Sequence, residues 1–256
     1  MIVDTHVHLD DARYIEDFNA VLERAREAGV TRYIIPAADP ETLPRAVELA
    51  ERYEAIYFSV GVHPDEAARY DRAEQERLIE HPKCVAVGEI GLDYYRLPDD
   101  PEEAERIKKL QHEVFIDQID LANTYGKPII VHIRDASRDA QAVLEAHAGE
   151  QGGVLHCFNA DHELLTLAER GFYYGIGGVI TFKNARKLIE VFPRIPEDRL
   201  LIETDGPYLT PHPYRGERNE PIYCELIAEK MAQLSGIPLA AMQGMCRENT
   251  TRLFGI

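Results

Sequence analysis

The stretch Ile2-Val3-Asp4-Thr5-His6-Val7-His8 places a short β-branched run directly before two histidines. Seven further strand-like runs follow it and alternate with longer segments of helical period, the pattern of repeated βα units. The eight predicted strands cover residues 2–3, 32–36, 56–60, 85–89, 128–132, 153–156, 172–176 and 200–203. We therefore predict an α/β fold of the (β/α)8 TIM-barrel type, for which a length of 256 residues is typical.

The clearest helical pattern covers residues 101–125, where Val114, Phe115 and Ile119 belong to an apolar stripe of i, i+3/i+4 spacing. Two more helices are predicted after the last strand, over residues 221–234 and 238–252, and would pack outside the barrel. No linker divides the chain, so a single domain over residues 1–256 is expected. The alternatives are two smaller domains, or an open doubly wound sheet, whose G-x-G-x-x-G motif is absent after the first strand.

The chain is acidic, with 28 Lys and Arg against 45 Asp and Glu and a formal net charge of −17. This charge argues against a protein that coats long nucleic acid, because that mode needs many phosphate contacts. No signal-peptide pattern and no apolar run of about 18 residues is found, which predicts no membrane association. The four cysteines form no C-x-x-C pair and suit a reducing compartment. We expect a cytoplasmic protein with no obligate protein partner.

Ligand-type side chains stand at the carboxyl ends of the predicted strands, which converge on the active-site face of a TIM barrel. Residues two apart on an extended chain project to the same side, so His6 and His8 can reach one ion. Taken alone, this H-x-H motif could equally be two satisfied polar side chains. Four other candidates sit at the ends of four other strands: Glu89, His132, His156 and Asp205. Four histidines and two carboxylates are the donor set expected for zinc or another divalent metal.

Six ligands exceed the needs of one tetrahedral site, which favours two divalent ions that share a carboxylate. Glu89 is the natural bridge, because strand four lies between the groups on strands one and five. Such a pair, about 3.5–4 Å apart, supports hydrolysis by an activated water. The donor set does not separate Zn, Mg and Mn. Strand parity at the His156-Cys157 pair predicts that Cys157 points away from the site as a buried core thiol.

Several segments, in order along nearly the whole chain, resemble the TatD family of metal-dependent deoxyribonucleases. They include the Asp4-Thr5-His6-Val7-His8 stretch, Gly61-Val62-His63-Pro64, Leu155-His156-Cys157-Phe158, Glu203-Thr204-Asp205-Gly206-Pro207-Tyr208-Leu209, and the regions 88–95, 128–136, 215–221 and 249–255. The resemblance implies a barrel of the amidohydrolase superfamily that hydrolyses phosphodiester bonds, often as a 3′-exonuclease on single-stranded DNA. One departure is Asp65, where the family often has a histidine.

The resemblance also implies roles for the individual residues. His6, His8 and Asp205 would hold one ion and His132 and His156 the other, with Glu89 bridging. Asp205 would also take the proton of the attacking water. A carboxylate close to that water can act as a general base, because a metal ion lowers the pKa of the water to about 7. We accordingly assign catalytic roles to Asp205 and Glu89.

Substrate contacts are predicted in the loops that follow the strands. Two divalent ions would offset the local carboxylates, so the site could attract phosphate within an acidic protein. Phosphate-binding candidates are His63, Arg134, Lys183, Arg215 and Arg218, and Tyr94, Tyr95, Tyr208 and Tyr214 could stack on bases or pack on the rim. The small number of cations predicts that the substrate is a DNA end or a short single strand.

Two other functions compete with a nuclease. A dinuclear barrel also serves amidohydrolases and small-molecule phosphoesterases through loop variation. Glu89 in the bridging role, where many amidohydrolases use a Lys that carries a carboxylate, favours the nuclease. The third alternative is a non-catalytic metal-binding protein, against which stand Asp205 and the open coordination positions expected at the metal site.

Overall fold

The computed structural model describes all 256 residues and contains eight parallel strands paired in chain order. The strands are β1 (Ile2–Asp4), β2 (Val30–Ile35), β3 (Ile56–Val60), β4 (Cys84–Asp93), β5 (Ile129–Arg134), β6 (Gly153–Leu155), β7 (Phe172–Ile176) and β8 (Leu200–Ile202). Thr5 N–H donates to the Ile202 carbonyl at 3.1 Å, and Val7 bridges to Gly206, so the first and last strands meet. The predicted (β/α)8 TIM barrel is confirmed as a nearly closed ring.

Helices connect most of the strands and cover the outside of the ring. They are α1 (Phe18–Glu27), α2 (Leu43–Arg52), α3 (Arg72–Glu76), α4 (Pro101–Tyr125), α5 (Ser137–His147), α6 (Arg186–Val191), α7 (Cys224–Ser235) and α8 (Leu239–Phe254), and a 3-10 helix (His162–Arg170) joins β6 to β7. Helix α4 has the predicted bounds because the Asp100 side chain caps its start and Gly126, at φ 61°, ends it. None of these helices combines the length and apolar character needed to cross a bilayer.

Several element ends differ from the prediction. β4 continues past Glu89 because its ladder with β5 extends from the Gly91 and His132 pair to the Asp93 and Arg134 pair. In contrast, β6 ends before His156 and β8 ends at Ile202, so the functional side chains there lie in loops. The two extra C-terminal helices are confirmed, with α7 preceded by a 3-10 turn (Pro221–Tyr223).

The inside of the barrel is filled with apolar side chains. Ile130 belongs to this inner cluster, whereas its neighbour Val131 belongs to the larger core between strands and helices, as the predicted alternation of β5 requires. The inner cluster contains residues from seven strands, joined by two residues from the C-terminal end of the chain: Val3, Ile34, Val85, Ala86, Ile130, Val154, Tyr173, Leu201, Phe254 and Ile256. A packed interior leaves the polar residues to gather at one end of the barrel.

Candidate active site

The six predicted ligands lie together at the carboxyl ends of the strands. Their ligand atoms form two groups in each of which every member lies within 4.8 Å of the others: His6, His8 and Asp205 in one group, and Glu89, His132 and His156 in the other. These residues come from five different strands or the loops that follow them. The fold therefore brings together side chains that are far apart in the sequence.

Glu89 lies between two pairs of histidines. Its Oε2 atom is 3.3 Å from His6 Nε2 and 3.9 Å from His8 Nε2. Its Oε1 atom is 2.7 Å from His132 Nδ1 and 3.7 Å from His156 Nε2. Two ligands that each lie about 2.1 Å from one ion at a tetrahedral angle are about 3.4 Å apart. The distances to His6, His8 and His156 are close to this spacing, whereas the 2.7 Å contact with His132 is a direct hydrogen bond.

A β-bulge aims Glu89 into the site. Gly88 pairs with Ile130 and Ile90 pairs with Val131, so Glu89 is the extra residue of β4. Its N–H donates to the Ala37 carbonyl at 2.6 Å rather than to β5. Because a bulge redirects a side chain without ending the ladder, one strand supplies Glu89 and continues to Asp93.

Asp205 completes the ring of donors from the loop after β8. Its Oδ1 atom is 3.6 Å from His8 Nε2, 3.8 Å from His6 Nε2 and 3.9 Å from His156 Nε2. The residue has a φ of 59°, a left-handed conformation that Asp tolerates better than most residues, and its N–H donates to the His6 carbonyl at 2.9 Å. The backbone thus fixes the position of Asp205 relative to His6.

The donor set fits divalent metal ions. His6 is fully buried, yet neither of its ring nitrogens has a hydrogen-bond partner. A buried polar atom without a partner costs about 1–3 kcal/mol, so this arrangement favours a ligand at the histidine. Imidazole and carboxylate donors together suit zinc, manganese and related ions.

The charge of the surrounding cavity agrees with this fit. The cavity has a volume of about 850 Å³, and its walls carry seven carboxylate side chains but only three Lys or Arg side chains. The carboxylates belong to Asp10, Asp11, Asp39, Asp65, Glu89, Asp93 and Asp205, and the cations to Arg96, Arg134 and Lys187. Such a cavity attracts cations, and it repels phosphate until cations are bound.

The imidazoles and carboxylates control one another's protonation. Burial opposes charge on His132, but hydrogen bonds to Asp93 and Glu89 outweigh it and raise the pKa of His132 to about 9. Burial likewise opposes charge on His156, while Glu203 and Glu89 raise its pKa to about 10. Burial also acts against ionisation of Glu89, yet the adjacent histidines hold its pKa well below the usual range. The central carboxylate is therefore ionised.

Two of the five predicted phosphate contacts line the cavity, namely His63 and Arg134. His63 Nδ1 accepts the N–H of Asp65 at 3.1 Å, so the proton of a neutral His63 ring is on Nε2, the atom that faces Glu89 at 3.8 Å. The Arg134 guanidinium lies 3.6 Å from the centre of the Tyr95 ring. Both side chains present donors to the cavity.

The other three predicted cations lie outside the cavity wall. Lys183 is exposed, and Lys187 of α6 lines the cavity instead. Arg215 lies 3.9 Å from the centre of the Phe182 ring and donates to the Thr210 carbonyl at 3.0 Å.

The ion pairs of Arg218 argue against its predicted phosphate contact. Its guanidinium donates to both carboxylate oxygens of Asp17, at 2.8 and 2.7 Å, and to Glu220 at 2.6 Å. A guanidinium held in this way has few donors left for a phosphate. Arg218 is therefore a structural cation that ties the loop before α7 to the start of α1.

The tyrosines divide into two groups. Tyr208 is exposed and lines the cavity, and Arg13 lies 4.4 Å from the centre of its ring. Tyr95 is exposed outside the cavity wall, and its ring contacts Arg134, which lines the cavity. Tyr94 instead donates to Asp139 at 2.9 Å, and Tyr214 stacks on Tyr223. Tyr95 and Tyr208 are thus free to contact a ligand, and Tyr94 and Tyr214 pack against the protein.

Cys157 lies in the cavity wall, so the prediction of a core thiol is wrong. The alternation used for that prediction stops at Leu155, where β6 ends, and Cys157 has a left-handed φ of 43°. Its N–H donates to Glu203 Oε1 at 2.6 Å. Burial, followed by the charges of Asp205 and Glu203, raises the pKa of the Cys157 thiol well above its usual range.

Sequence reasoning also missed Asp93 and Glu203. Asp93 Oδ2 is 3.1 Å from His132 Nε2, and Glu203 Oε1 is 3.0 Å from His156 Nδ1. Glu203 stands two residues before Asp205, the same spacing as that of His6 and His8, and this spacing could have identified it. The contact of Asp93 with His132 was missed because β4 was predicted to end at Glu89, before Asp93.

Comparisons with known proteins agree with this geometry. A family model described as TatD related DNase matches residues 3–255. The chain is 42% identical to the metal-dependent hydrolase YabD of Bacillus subtilis, over 100% of both chains. It is 35% identical to the 3′-5′ ssDNA/RNA exonuclease TatD of Escherichia fergusonii, over 99% of this chain and 98% of that one. The crystal structure of YjjV, a TatD homologue from Escherichia coli K12, has a TM-score of 0.87 at 33% identity and covers 100% of this chain and 98% of its own.

Proposed function

Because the chain belongs to the TatD-related DNase family of metal-dependent hydrolases, we propose that it hydrolyses phosphodiester bonds at the 3′ end of single-stranded nucleic acid. The observation that carries this proposal is the position of Glu89, with one carboxylate oxygen toward His6 and His8 and the other toward His132 and His156. The name of the relative in Escherichia fergusonii, a 3′-5′ ssDNA/RNA exonuclease, supports the choice of substrate and direction.

We assign two divalent ions to this ring of side chains. His6, His8 and Asp205 would hold one and His132 and His156 the other, with Glu89 shared between them. When bound, these ions supply Lewis-acid activation of water and neutralise charge on the attacking and leaving oxygens. The acidic cavity favours their binding over that of a monovalent cation.

Asp205 acts as the general base. Burial opposes its ionisation, but His8 and the neighbouring histidines lower its pKa, so it is a carboxylate at neutral pH. It accepts a proton from the water that attacks phosphorus, and the bond from phosphorus to the 3′ oxygen of the preceding nucleotide breaks. The proton then passes to that oxygen, and the products are a nucleoside 5′-monophosphate and a strand shorter by one nucleotide.

The cavity wall positions the substrate. The Nε2 proton of His63 and the guanidinium of Arg134 are donors for phosphate oxygens. Tyr95 and Tyr208 offer exposed rings for the terminal bases, each with an arginine on one face. Base stacking on aromatic rings tolerates any sequence, as an exonuclease requires.

The test uses protein stripped of metal and then supplied separately with Mg²⁺, Mn²⁺ or Zn²⁺. Substrates are single-stranded DNA labelled at either end, duplex DNA, RNA, a model phosphodiester and a model amide. We expect progressive shortening of the 5′-labelled single strand only when a divalent ion is present, and no shortening by Asp205→Asn.

Other outcomes would contradict the proposal in distinguishable ways. Cleavage of the amide alone would favour an amidohydrolase, and cleavage of the model phosphodiester alone would favour a small-molecule phosphoesterase. Tight metal binding without turnover of any substrate would favour a non-catalytic metal-binding protein. Internal nicking of closed circular DNA without end trimming would contradict the exonuclease mode.

A further inference from the structure

Two buried carboxylates, outside the six proposed ligands, stand behind His132 of β5 and His156 of the loop after β6. Asp93 faces His132 from the side opposite Glu89, and Glu203 faces His156 from the side opposite Glu89 and Asp205. Each imidazole therefore has one nitrogen toward the centre of the site and the other toward an outer carboxylate.

Asp93 is held rigidly in its place behind His132. Its Oδ2 atom is 3.1 Å from His132 Nε2, and its Oδ1 atom accepts the N–H of Tyr95 at 2.8 Å. The Gln111 side chain bonds both the N–H and the carbonyl of Asp93, each at 3.0 Å. Both carboxylate oxygens are thus used, and the backbone that carries them is fixed by α4.

Glu203 is fixed behind His156 by a different set of contacts. It is fully buried, and its Oε1 atom accepts the Cys157 N–H at 2.6 Å. The same oxygen lies 3.0 Å from His156 Nδ1, an ion-pair distance rather than a hydrogen bond of good geometry. A Cβ on Gly175 would overlap Glu203 Oε2, so the glycine of β7 provides the space for this carboxylate. The loop after β6 and the loop after β8 are joined through this one side chain.

The opposite orientations of the two rings follow from these contacts. A ring nitrogen can bind an ion only with its lone pair, so the proton of a neutral ligand histidine must be on the other nitrogen. An outer carboxylate stabilises that proton, which fixes the tautomer and makes the inner nitrogen a stronger ligand. For His132 the inner atom is Nδ1, and for His156 it is Nε2.

We propose that Asp93 and Glu203 are positioning residues that set the tautomers of His132 and His156 and thereby strengthen metal binding at the site. This inference rests on the metal ligands assigned under the proposed function. It concerns metal affinity and ring protonation rather than the chemical step.

The first test replaces each carboxylate by its amide. An amide has only one acceptor oxygen, so the side chain of Asp93→Asn cannot accept from both Tyr95 N–H and His132 Nε2–H. The amide of Glu203→Gln adds N–H donors where the Cys157 N–H already needs an acceptor. Zinc affinity is measured by competition with a chelator, and zinc content per chain by elemental analysis. We expect each variant to bind zinc about 10- to 100-fold more weakly, with the wild-type number of ions at saturation.

The control variant is Asn249→Asp, which makes the reverse exchange at a buried side chain away from the cavity. Asn249 Nδ2 donates to the carbonyls of Glu197 and Leu200, both at 3.0 Å, and a carboxylate cannot. We expect this variant to lose stability but to keep wild-type zinc affinity. Wild-type zinc affinity in both Asp93→Asn and Glu203→Gln would overturn the inference. The loss of one bound ion at saturation in either variant would also overturn it, because the substituted carboxylate would then be a metal ligand.

A second measurement needs no variant. In zinc-loaded wild-type protein with ¹⁵N-labelled histidine, NMR should find the proton of His132 on Nε2 and that of His156 on Nδ1. The opposite tautomers would overturn the inference while leaving the proposed nuclease intact. Failure of the wild type to bind zinc, manganese or magnesium would instead remove the metal assignment on which both depend.

Discussion

The imidazole rings of His6 and His156 are stacked, with their centroids 3.4 Å apart and their planes 15° from parallel. His6 follows β1 and His156 follows β6, so their contact crosses the end of the barrel. Two stacked imidazolium ions would repel each other, and burial and the charge on His156 accordingly lower the pKa of His6. The contact keeps a neutral histidine next to Glu89, where it can serve as a ligand.

Removal of metal should lower the stability of the protein as well as its activity. An ion that binds only the folded chain adds about 2.7 kcal/mol when its free concentration is 100 times its Kd. We expect the free energy of unfolding in urea to rise with Mn²⁺ in the wild type, and to rise less in His6→Ala. Equal stability with and without Mn²⁺, at concentrations that support activity, would contradict ligation by the folded site.

Arg218→Ala should affect stability and leave catalysis unchanged. Loss of its partly exposed ion pairs with Asp17 and Glu220 is expected to reduce the free energy of unfolding by about 1 kcal/mol, measured in urea at pH 7. A substantial rise in KM for an oligonucleotide without loss of stability would restore Arg218 as a substrate contact.

The effect of Arg218 should also depend on pH in a defined direction. The hydrogen bond from Arg218 lowers the pKa of Asp17 to about 2, against about 4 in an unfolded chain. A lowered carboxyl pKa stabilises the fold above the unfolded value, and this contribution is lost as the pH falls through the folded value. The difference between wild type and Arg218→Ala should therefore be constant near neutrality and shrink between about pH 4 and pH 2.

Tyr208→Leu should weaken binding of nucleic acid without slowing cleavage of a small phosphodiester. Loss of one base-stacking contact costs about 1–3 kcal/mol, which should appear as a higher KM for single-stranded DNA. The matched control is Tyr214→Leu, because Tyr214 is also exposed but stacks on Tyr223 outside the cavity wall. Equal effects of the two substitutions would contradict a specific role for Tyr208.

Cys157 should be the first cysteine to react with a thiol reagent in the native protein. It is partly exposed in the cavity wall, whereas Cys84, Cys224 and Cys246 are buried. We expect maleimide to label one site per chain, identified by peptide mass, and the bulky adduct to block the oligonucleotide. Cys157→Ser should remain unlabelled over the same period, and labelling of another cysteine first would contradict the placement of Cys157.

Sequence reasoning identified the residues whose positions depend on the barrel alone. His6, His132 and Asp205 stand at strand ends, and a TIM barrel gathers all such ends on one face. The inward direction of His132 followed from the alternation of β5, since Ile130 faces the barrel interior. These predictions needed only strand identity and parity.

The positions of Asp93 and Cys157 depend on local backbone geometry, which the sequence did not reveal. The bulge at Glu89 lets β4 continue to Asp93, so a second carboxylate reaches His132. The early end of β6 turns Cys157 toward the cavity, against the parity of a strand. The ion pair between Arg218 and Asp17 was not foreseen, because the two residues are distant in the chain and such a pair leaves no pattern in the sequence.

The most direct test of the central claim is anomalous X-ray scattering from crystals of the protein loaded with Mn²⁺. The account predicts two anomalous peaks on either side of the Glu89 carboxylate, one bonded to His6, His8 and Asp205 and the other to His132 and His156. Peaks only at other positions, or no peak within bonding distance of these side chains, would contradict it.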